Sequence, residues 1–298
     1  MLRIGIDGGG TATRAVIIDG NLQVIGDGEA GSSNHYSVGI ERALENIARA
    51  AGAALLAADV PNSQIQCWGL GLAGACTATE QEMLRERLLP LAGDKPIAID
   101  EDAAAAQAGA FGGEPGAVCI AGTGANCFGI NERGERARAD GLGPLLGDRG
   151  SGYWIGEAAL RALCRAHDRS GPATLLLDAV LLQLQAASVD ELVQIVYRPD
   201  FGKDRIAALV PTVLQCASEG DVVARELLNC AGQELAASAR AVLQALGIAH
   251  VAVSGGVLNR DTPVRAAFEE ALRQSLPDVS IQEPLYSAAI GAALMVKC

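Results

Sequence analysis

The stretch "LRIGIDGGGTATRAVIID", residues 2–19, places an aspartate, three glycines and a threonine between two apolar runs. Glycine loses more backbone freedom on folding than any other residue, so three in succession need a physical reason. "LRIGID" and "TRAVIID" read as strands joined by a tight turn, and "LQVIGDGEA" (22–30) reads as a third strand after the hairpin signal "DGN". The glycines then form a strand-end turn whose backbone N–H groups can point at an anion and approach it closely.

Outward from this unit the chain alternates. "SVGIERALENIARAAGAALLAA" has helical spacing with Ser37 as its N-cap. The strand "IQCWGLGLAGA" follows, then a helix from about Thr79 to Leu89, the short strand "PIAID" and the alanine-rich helix "DAAAAQAGAF". The Gly- and Pro-rich "FGGEPGA" (111–117) marks a boundary, and the pattern then restarts. "AVCIAGTG" runs into a Gly-Thr turn and "NCFGINERGERARADG" reads as a hairpin, a degenerate repeat of the opening unit. A mostly helical segment from Ser151 to about Leu246 leads to the strand "HVAVSGGVLN", a helix, the short strand "VSIQEP" and the closing helix "SAAIGAALMV".

Three glycine turns thus end apolar strands: Gly8-Gly9-Gly10-Thr11, Gly122-Thr123-Gly124 and Gly255-Gly256. In α/β proteins ligands sit at the carboxyl ends of strands. One Gly-Thr turn per domain would grip successive phosphates of a nucleotide, and the third would pass close to the nucleoside. Neither a P-loop nor a G-x-G-x-x-G dinucleotide fingerprint is present.

The composition agrees. With 298 residues the chain has room for two domains; half of it is apolar, 19% is charged and 3% is aromatic. Packing by Ala, Leu and Val favours a layered α/β fold. A net charge of −12 repels nucleic acid and anionic lipid, so neither is an expected partner. The eight cysteines form no C-x-x-C pair and read as reduced thiols of an intracellular protein. The N-terminal apolar run is too short for a signal peptide, and no stretch approaches a membrane span. A soluble cytoplasmic protein is expected.

The three turns in this order resemble the actin, sugar-kinase and heat-shock-chaperone (ASKHA) superfamily, with "DGGGT" and "AGTG" as phosphate loops and "SGG" as the adenosine loop. "GSSNHY", "GLAGA", "TGANC" and "GDRGSGYWIG" resemble the BadF/BadG/BcrA/BcrD-type ATPases, in particular the N-acetylglucosamine and glucosamine kinase branch. The resemblance implies two actin-like, ribonuclease H-like α/β domains with a nucleotide cleft between them. They would span 1–114 and 115–298, with the last helix (about 287–298) packing back on the first. It implies a magnesium- and ATP-dependent kinase acting on a hydroxyl, the 6-OH, of an amino sugar, N-acetylglucosamine first. Glucosamine kinase and an activator ATPase of a 2-hydroxyacyl-CoA dehydratase-type system are the alternatives. It leaves a homodimer open.

Phosphoryl transfer needs positioning, charge neutralisation and a group to take the hydroxyl proton. In "IAIDEDAAAA", Asp102 stands where a strand meets a helix, at the expected N-cap; the residues alone leave it a cap or a base. By resemblance it is the catalytic Asp, with Asp100 as the alternate. Asp7 precedes the first phosphate loop and can hold Mg²⁺. Thr11 and Thr123 would donate to phosphate oxygens. By resemblance, Asn34, Asn126, Gly141 and Asp148 contact the sugar. Ala125 and Leu142 stand in the sugar pocket where animal N-acetylglucosamine kinases carry Ser and Trp.

Overall fold

The structure is a computed structural model describing residues 1–296. Cys298 and the end of the helix expected to reach it lie outside the described residues. Two compact units are present: Met1–Val118 with Gly129–Glu135 and the C-terminal segment from Glu283, and Cys119–Phe128 with Arg136–Gln282.

The first unit contains β1 (Leu2–Gly8), β2 (Ala12–Ile18), β3 (Val24–Gly31), α1 (His35–Val38), α2 (Ile40–Ala58), β4 (Ile65–Leu72), α3 (Ala78–Ala92), β5 (Ile97–Asp100) and α4 (Asp102–Phe111). Next come β6 (Gly116–Ala121), β7 (Ala125–Ile130) and β8 (Arg136–Asp140), and then the helices α5 (Gly152–His167), α6 (Leu176–Leu184), α7 (Val189–Val196), α8 (Lys203–Ala207), α9 (Val210–Ser218) and α10 (Val222–Leu246). The chain closes with β9 (His250–Ser254), α11 (Pro263–Ser275), β10 (Ser280–Gln282) and α12 (Ala288–Leu294).

The strand order is β3-β2-β1-β4-β5 in one sheet and β10-β9-β6-β7-β8 in the other. Read from β8, the second order repeats the first: three strands consecutive in sequence, then two that arrive by crossover. β1 pairs antiparallel with β2 and parallel with β4, and β4 pairs parallel with β5. The repeat read from the glycine turns is therefore a repeat of topology.

Few aromatics means thin layers. On one face of β1 and β4, Ile4, Ile6, Trp68 and Leu70 are buried in the core with Ile17, Ile47 and Leu84. The other face is nearly flat: a Cβ on Gly5 would lie 1.9 Å from the Ala289 carbonyl oxygen, and one on Gly69 would lie 1.8 Å from that of Ala292. α12 thus rests directly on the strand backbones. The returned favour is close van der Waals contact with little side chain to order.

Three local expectations need correction. The helix read from Ser37 is two helices, because Gly39 sits at φ 80°, a backbone state that ends α1 before α2 begins. Asn34, not Ser37, caps α1: its side chain accepts from the Tyr36 N–H. The N-cap of α4 is Glu101, extended at φ −66° and ψ 153°, and Asp102 is the first helical residue. The reduced state expected of the eight cysteines also fails at Cys67. Cys67, buried in β4, is disulfide-bonded. Cys76, Cys119, Cys127, Cys164, Cys216 and Cys230 are free thiols. No single helix among the described residues is long and apolar enough to cross a membrane.

Candidate active site

In the first unit, pairing register gathers the carboxylates. Asp7 on β1 lies opposite Gly71 on β4, which lies opposite Asp100 on β5. Gly71 is the gap through which α4 enters. A Cβ there would meet the Ala105 Cβ at 2.2 Å and the Asp102 Cα at 3.5 Å. With no side chain at that position, the start of α4 lies against the strand beside Asp7. Asp102 Oδ1 accepts from the Ala103 N–H at 2.9 Å. Asp100 Oδ1 accepts from the Glu101 N–H at 2.9 Å and the Gln81 amide at 3.3 Å.

Asp7 carries the cost of this arrangement. Burial first, then the like charge of Asp102, raise its pKa from 3.8 to about 6, with Arg14 pulling the other way. A carboxyl raised in the folded state favours that state below its unfolded pKa and loses the contribution as pH rises through about 6. Ionised Asp7 therefore opposes folding at neutral pH, by at most about 3 kcal/mol for two pK units. We expect Asp7→Asn to raise Tm by several degrees at about pH 7.5 and to change it little at about pH 4. Calorimetry at the two pH values checks this, and equal gains at both would exclude the charge as the cause.

Beside these carboxylates is the first glycine turn. Gly8 is packed: its backbone oxygen accepts from the Ala73 N–H at 2.7 Å, and a Cβ there would strike Ser33 Oγ at 2.2 Å. The Gly9 N–H donates to the Ala12 oxygen at 2.9 Å, so it is spent inside the turn. Gly10 and Thr11 are exposed, and a Cβ on Gly10 would meet nothing within 4 Å. Asn34 lies after β3; its oxygen accepts from the Tyr36 N–H at 3.0 Å, and its NH₂ group is not used by that cap.

The second unit holds the other half of the expected residues, and they converge. The Gly122 N–H donates to the Gly124 oxygen at 2.9 Å, closing the turn between β6 and β7. α5 pins this turn: the Gly152 N–H donates to the Gly122 oxygen at 2.8 Å and the Tyr153 N–H to that of Thr123 at 3.1 Å. Two donors otherwise orphaned at a helix start are thus satisfied. A Cβ on Gly124 would lie 2.8 Å from the Asp148 carboxylate, and one on Gly141 would lie 2.8 Å from Asn126 Cγ. The Gly141 N–H donates to the Ala125 oxygen at 2.8 Å. Ala125, Asn126, Gly141 and Asp148, spread over 24 positions, are therefore one cluster. Gly255, at φ 96°, lies against the end of β6, where a Cβ would be 2.2 Å from the Ala121 oxygen, so the third turn stands next to the second.

Two features of the cluster were not visible in the sequence. The Asn126 Oδ1 is buried and without a partner, and a buried acceptor left unpaired costs free energy that a ligand hydroxyl can relieve. Burial raises the pKa of Asp148, opposed by a hydrogen bond from the Ala125 N–H and by the charge of Lys203.

On this repeated α/β fold one unit bears neighbouring carboxylates and a glycine turn, and the other bears glycine turns and a polar cluster, residue types suited to phosphoryl transfer from a nucleotide. Residues 4–296 match the BadF/BadG/BcrA/BcrD ATPase family, and the chain belongs to it. It is 31% identical to the N-acetylmuramic acid/N-acetylglucosamine kinase of Clostridium acetobutylicum, over 99% of this chain and 97% of that one. It is 29% identical to the N-acetyl-D-glucosamine kinase of Dictyostelium discoideum, over 98% and 96%. A solved structure of a candidate N-acetylglucosamine kinase from Chromobacterium violaceum superposes with a TM-score of 0.82 at 27% identity, covering 99% of both chains. The two-domain α/β fold expected from the sequence is the fold of that solved structure.

Proposed function

We propose that the protein is a cytoplasmic, ATP-dependent kinase that phosphorylates the 6-OH of N-acetylglucosamine. The observation that carries the sugar assignment is the unpartnered Asn126 oxygen beside Asp148, Gly141 and Ala125. It is an acceptor open to a hydrogen bond from a sugar hydroxyl, in a chain whose relatives, matched over nearly their whole length, are named as kinases of this sugar.

The roles divide by unit. In the first, Asp102 accepts the proton of the attacking hydroxyl, and the exposed Gly10–Thr11 turn donates to phosphate oxygens. In the second, Gly122, Thr123 and Gly124 donate to phosphate, Gly255 and Gly256 lie along the adenosine, and Ala125, Asn126, Gly141 and Asp148 orient the sugar. Asn34 adds an amide donor to the hydroxyls. Magnesium fits the donor set. Among the described residues no cluster of three His, Cys, Asp or Glu exists, and Mg²⁺ is commonly held by one or two carboxylates, phosphate oxygens and water. Asp7 supplies the carboxylate, and the ion when bound neutralises phosphate charge.

A coupled ADP-release assay across N-acetylglucosamine, glucosamine, N-acetylmuramic acid, N-acetylmannosamine and glucose tests the reading. N-acetylglucosamine is expected to give the highest kcat/KM, and a flat response to every sugar would refute it. Asn126→Ala is expected to raise the KM for the sugar about 10–100-fold, the worth of a lost buried hydrogen bond, and to leave the KM for ATP nearly unchanged.

A further inference from the structure

The loop that joins β8 to α5 is held in an unfavourable shape. Within eleven residues, five have positive φ: Asp140 (66°), Gly141 (70°), Gly143 (80°), Asp148 (55°) and Gly150 (74°). Two of these are aspartates, which enter the left-handed region at a cost, and such strain persists only where surrounding structure over-determines it. The leucines of the loop tip bury little: Leu142, Leu145 and Leu146 are 57%, 92% and 77% exposed. One backbone bond, from the Gly147 N–H to the Gly143 oxygen at 2.8 Å, closes the tip, and the side-chain ties lie at the ends.

Both ends meet at one buried carboxylate. The Asp140 side chain is 2% exposed, and its Oδ2 lies 3.1 Å from Arg149 Nε. Ser238 Oγ, from α10, donates to the same oxygen at 2.7 Å, and the Arg149 N–H donates to Oδ1 at 3.4 Å. Arg149 also reaches Glu234 at 3.6 Å. A Cβ on Gly147 would lie 2.8 Å from Asp140 Oδ1, and one on Gly150 would lie 2.4 Å from the Ala231 oxygen of α10. Asp140 thus precedes the sugar residue Gly141, Arg149 follows the sugar residue Asp148, and the ion pair ties the two flanks together over α10.

We infer that Asp140, with Arg149 and Ser238, is a positioning residue: it clamps the loop in the one shape that presents Gly141 and Asp148 to the sugar. The inference rests on the proposed kinase reading. A clamp of this kind acts first on the sugar residues of the loop, while the Gly122–Gly124 turn is held by its own bonds from the Gly152 and Tyr153 N–H groups of α5. Small misplacements of positioning groups are expensive, up to about 100-fold in rate per ångström.

The experiment compares the wild type with Asp140→Asn, Arg149→Gln and Arg149→Lys, each confirmed folded by circular dichroism. Asp140→Asn and Arg149→Gln are expected to raise the KM for the sugar about 10-fold or more, with the KM for ATP within about twofold of wild type. Arg149→Lys, which keeps the charge, is expected to recover most of the loss. Sugar KM values within about twofold of wild type, or equal losses for sugar and ATP, overturn the inference. If Asp140→Asn does not fold, Arg149→Gln, altered at a half-exposed side chain, decides alone. If the wild type shows no sugar-dependent turnover, the kinase reading fails and hydrogen exchange at residues 141–149 decides the clamp. Faster exchange in Arg149→Gln supports it and unchanged exchange overturns it.

Discussion

Asp102→Asn should lower kcat by about 10²–10⁴-fold, the contribution of a general base, while ATP still binds within a few-fold of wild type. The substitution is conservative where it matters. Asp102 Oδ1 accepts from the Ala103 N–H, and an Asn oxygen can keep that bond at the first position of α4. What is lost is the charge and the ability to take a proton. A second readout follows from the same electrostatics. The Asp102 charge is the second cause of the raised pKa of Asp7, so in Asp102→Asn the Asp7 carboxyl should ionise at lower pH. The acid limb of Mg·ATP affinity should move down with it, measured by titration calorimetry between about pH 5 and 8. Asp100→Asn is the comparison. Its carboxylate is engaged by Gln81 and the Glu101 N–H, and its loss should cost less turnover than the loss of Asp102. The opposite ranking would make Asp100 the base.

The parts of this site legible in the sequence were those with a local signature. A glycine turn at the end of an apolar run states its own conformation, and two such turns in similar surroundings point to two similar β units, each with a Gly-Thr turn. Asp102 was legible as a carboxylate at a strand–helix junction, with an error of one residue in its cap. The cap is set by Glu101's dihedrals, not its side chain, which makes no capping bond. The break at Gly39 was hidden because apolar spacing continues across it. Interactions that depend on distant pairing left no signature. Asp140 meets Ser238 across 98 positions, Asp7 finds Asp102 only through the register of β1, β4 and β5, and the Asn126 oxygen is orphaned by what the fold fails to place near it.

The largest stability effect is expected from a glycine outside the chemistry. Gly69→Ala adds one methyl group, whose carbon would lie 1.8 Å from the Ala292 oxygen and 2.5 Å from its carbonyl carbon. These are backbone atoms of α12, so no rotamer change relieves the overlap. β4 cannot tilt away either. Its alternate residues Trp68 and Leu70 are 1% and 0% exposed in the core on the other face, and its register partner Gly5 makes the same approach to Ala289. The helix must lift from the sheet, opening space around Ile290, Ala292 and Ala293. Overpacking with such loss of contact falls in the exceptional range, at least about 4 kcal/mol. The expected result is a Tm lowered by about 8 °C or more, or failure to accumulate as soluble protein. Gly52→Ala is the control. Gly52 lies on the exposed side of α2, where a Cβ would meet nothing within 4 Å, and alanine there should stabilise by about 0.5–1 kcal/mol through helix propensity. Equal Tm values for the two variants would mean that α12 does not seat on β1 and β4 as closely as the glycines allow.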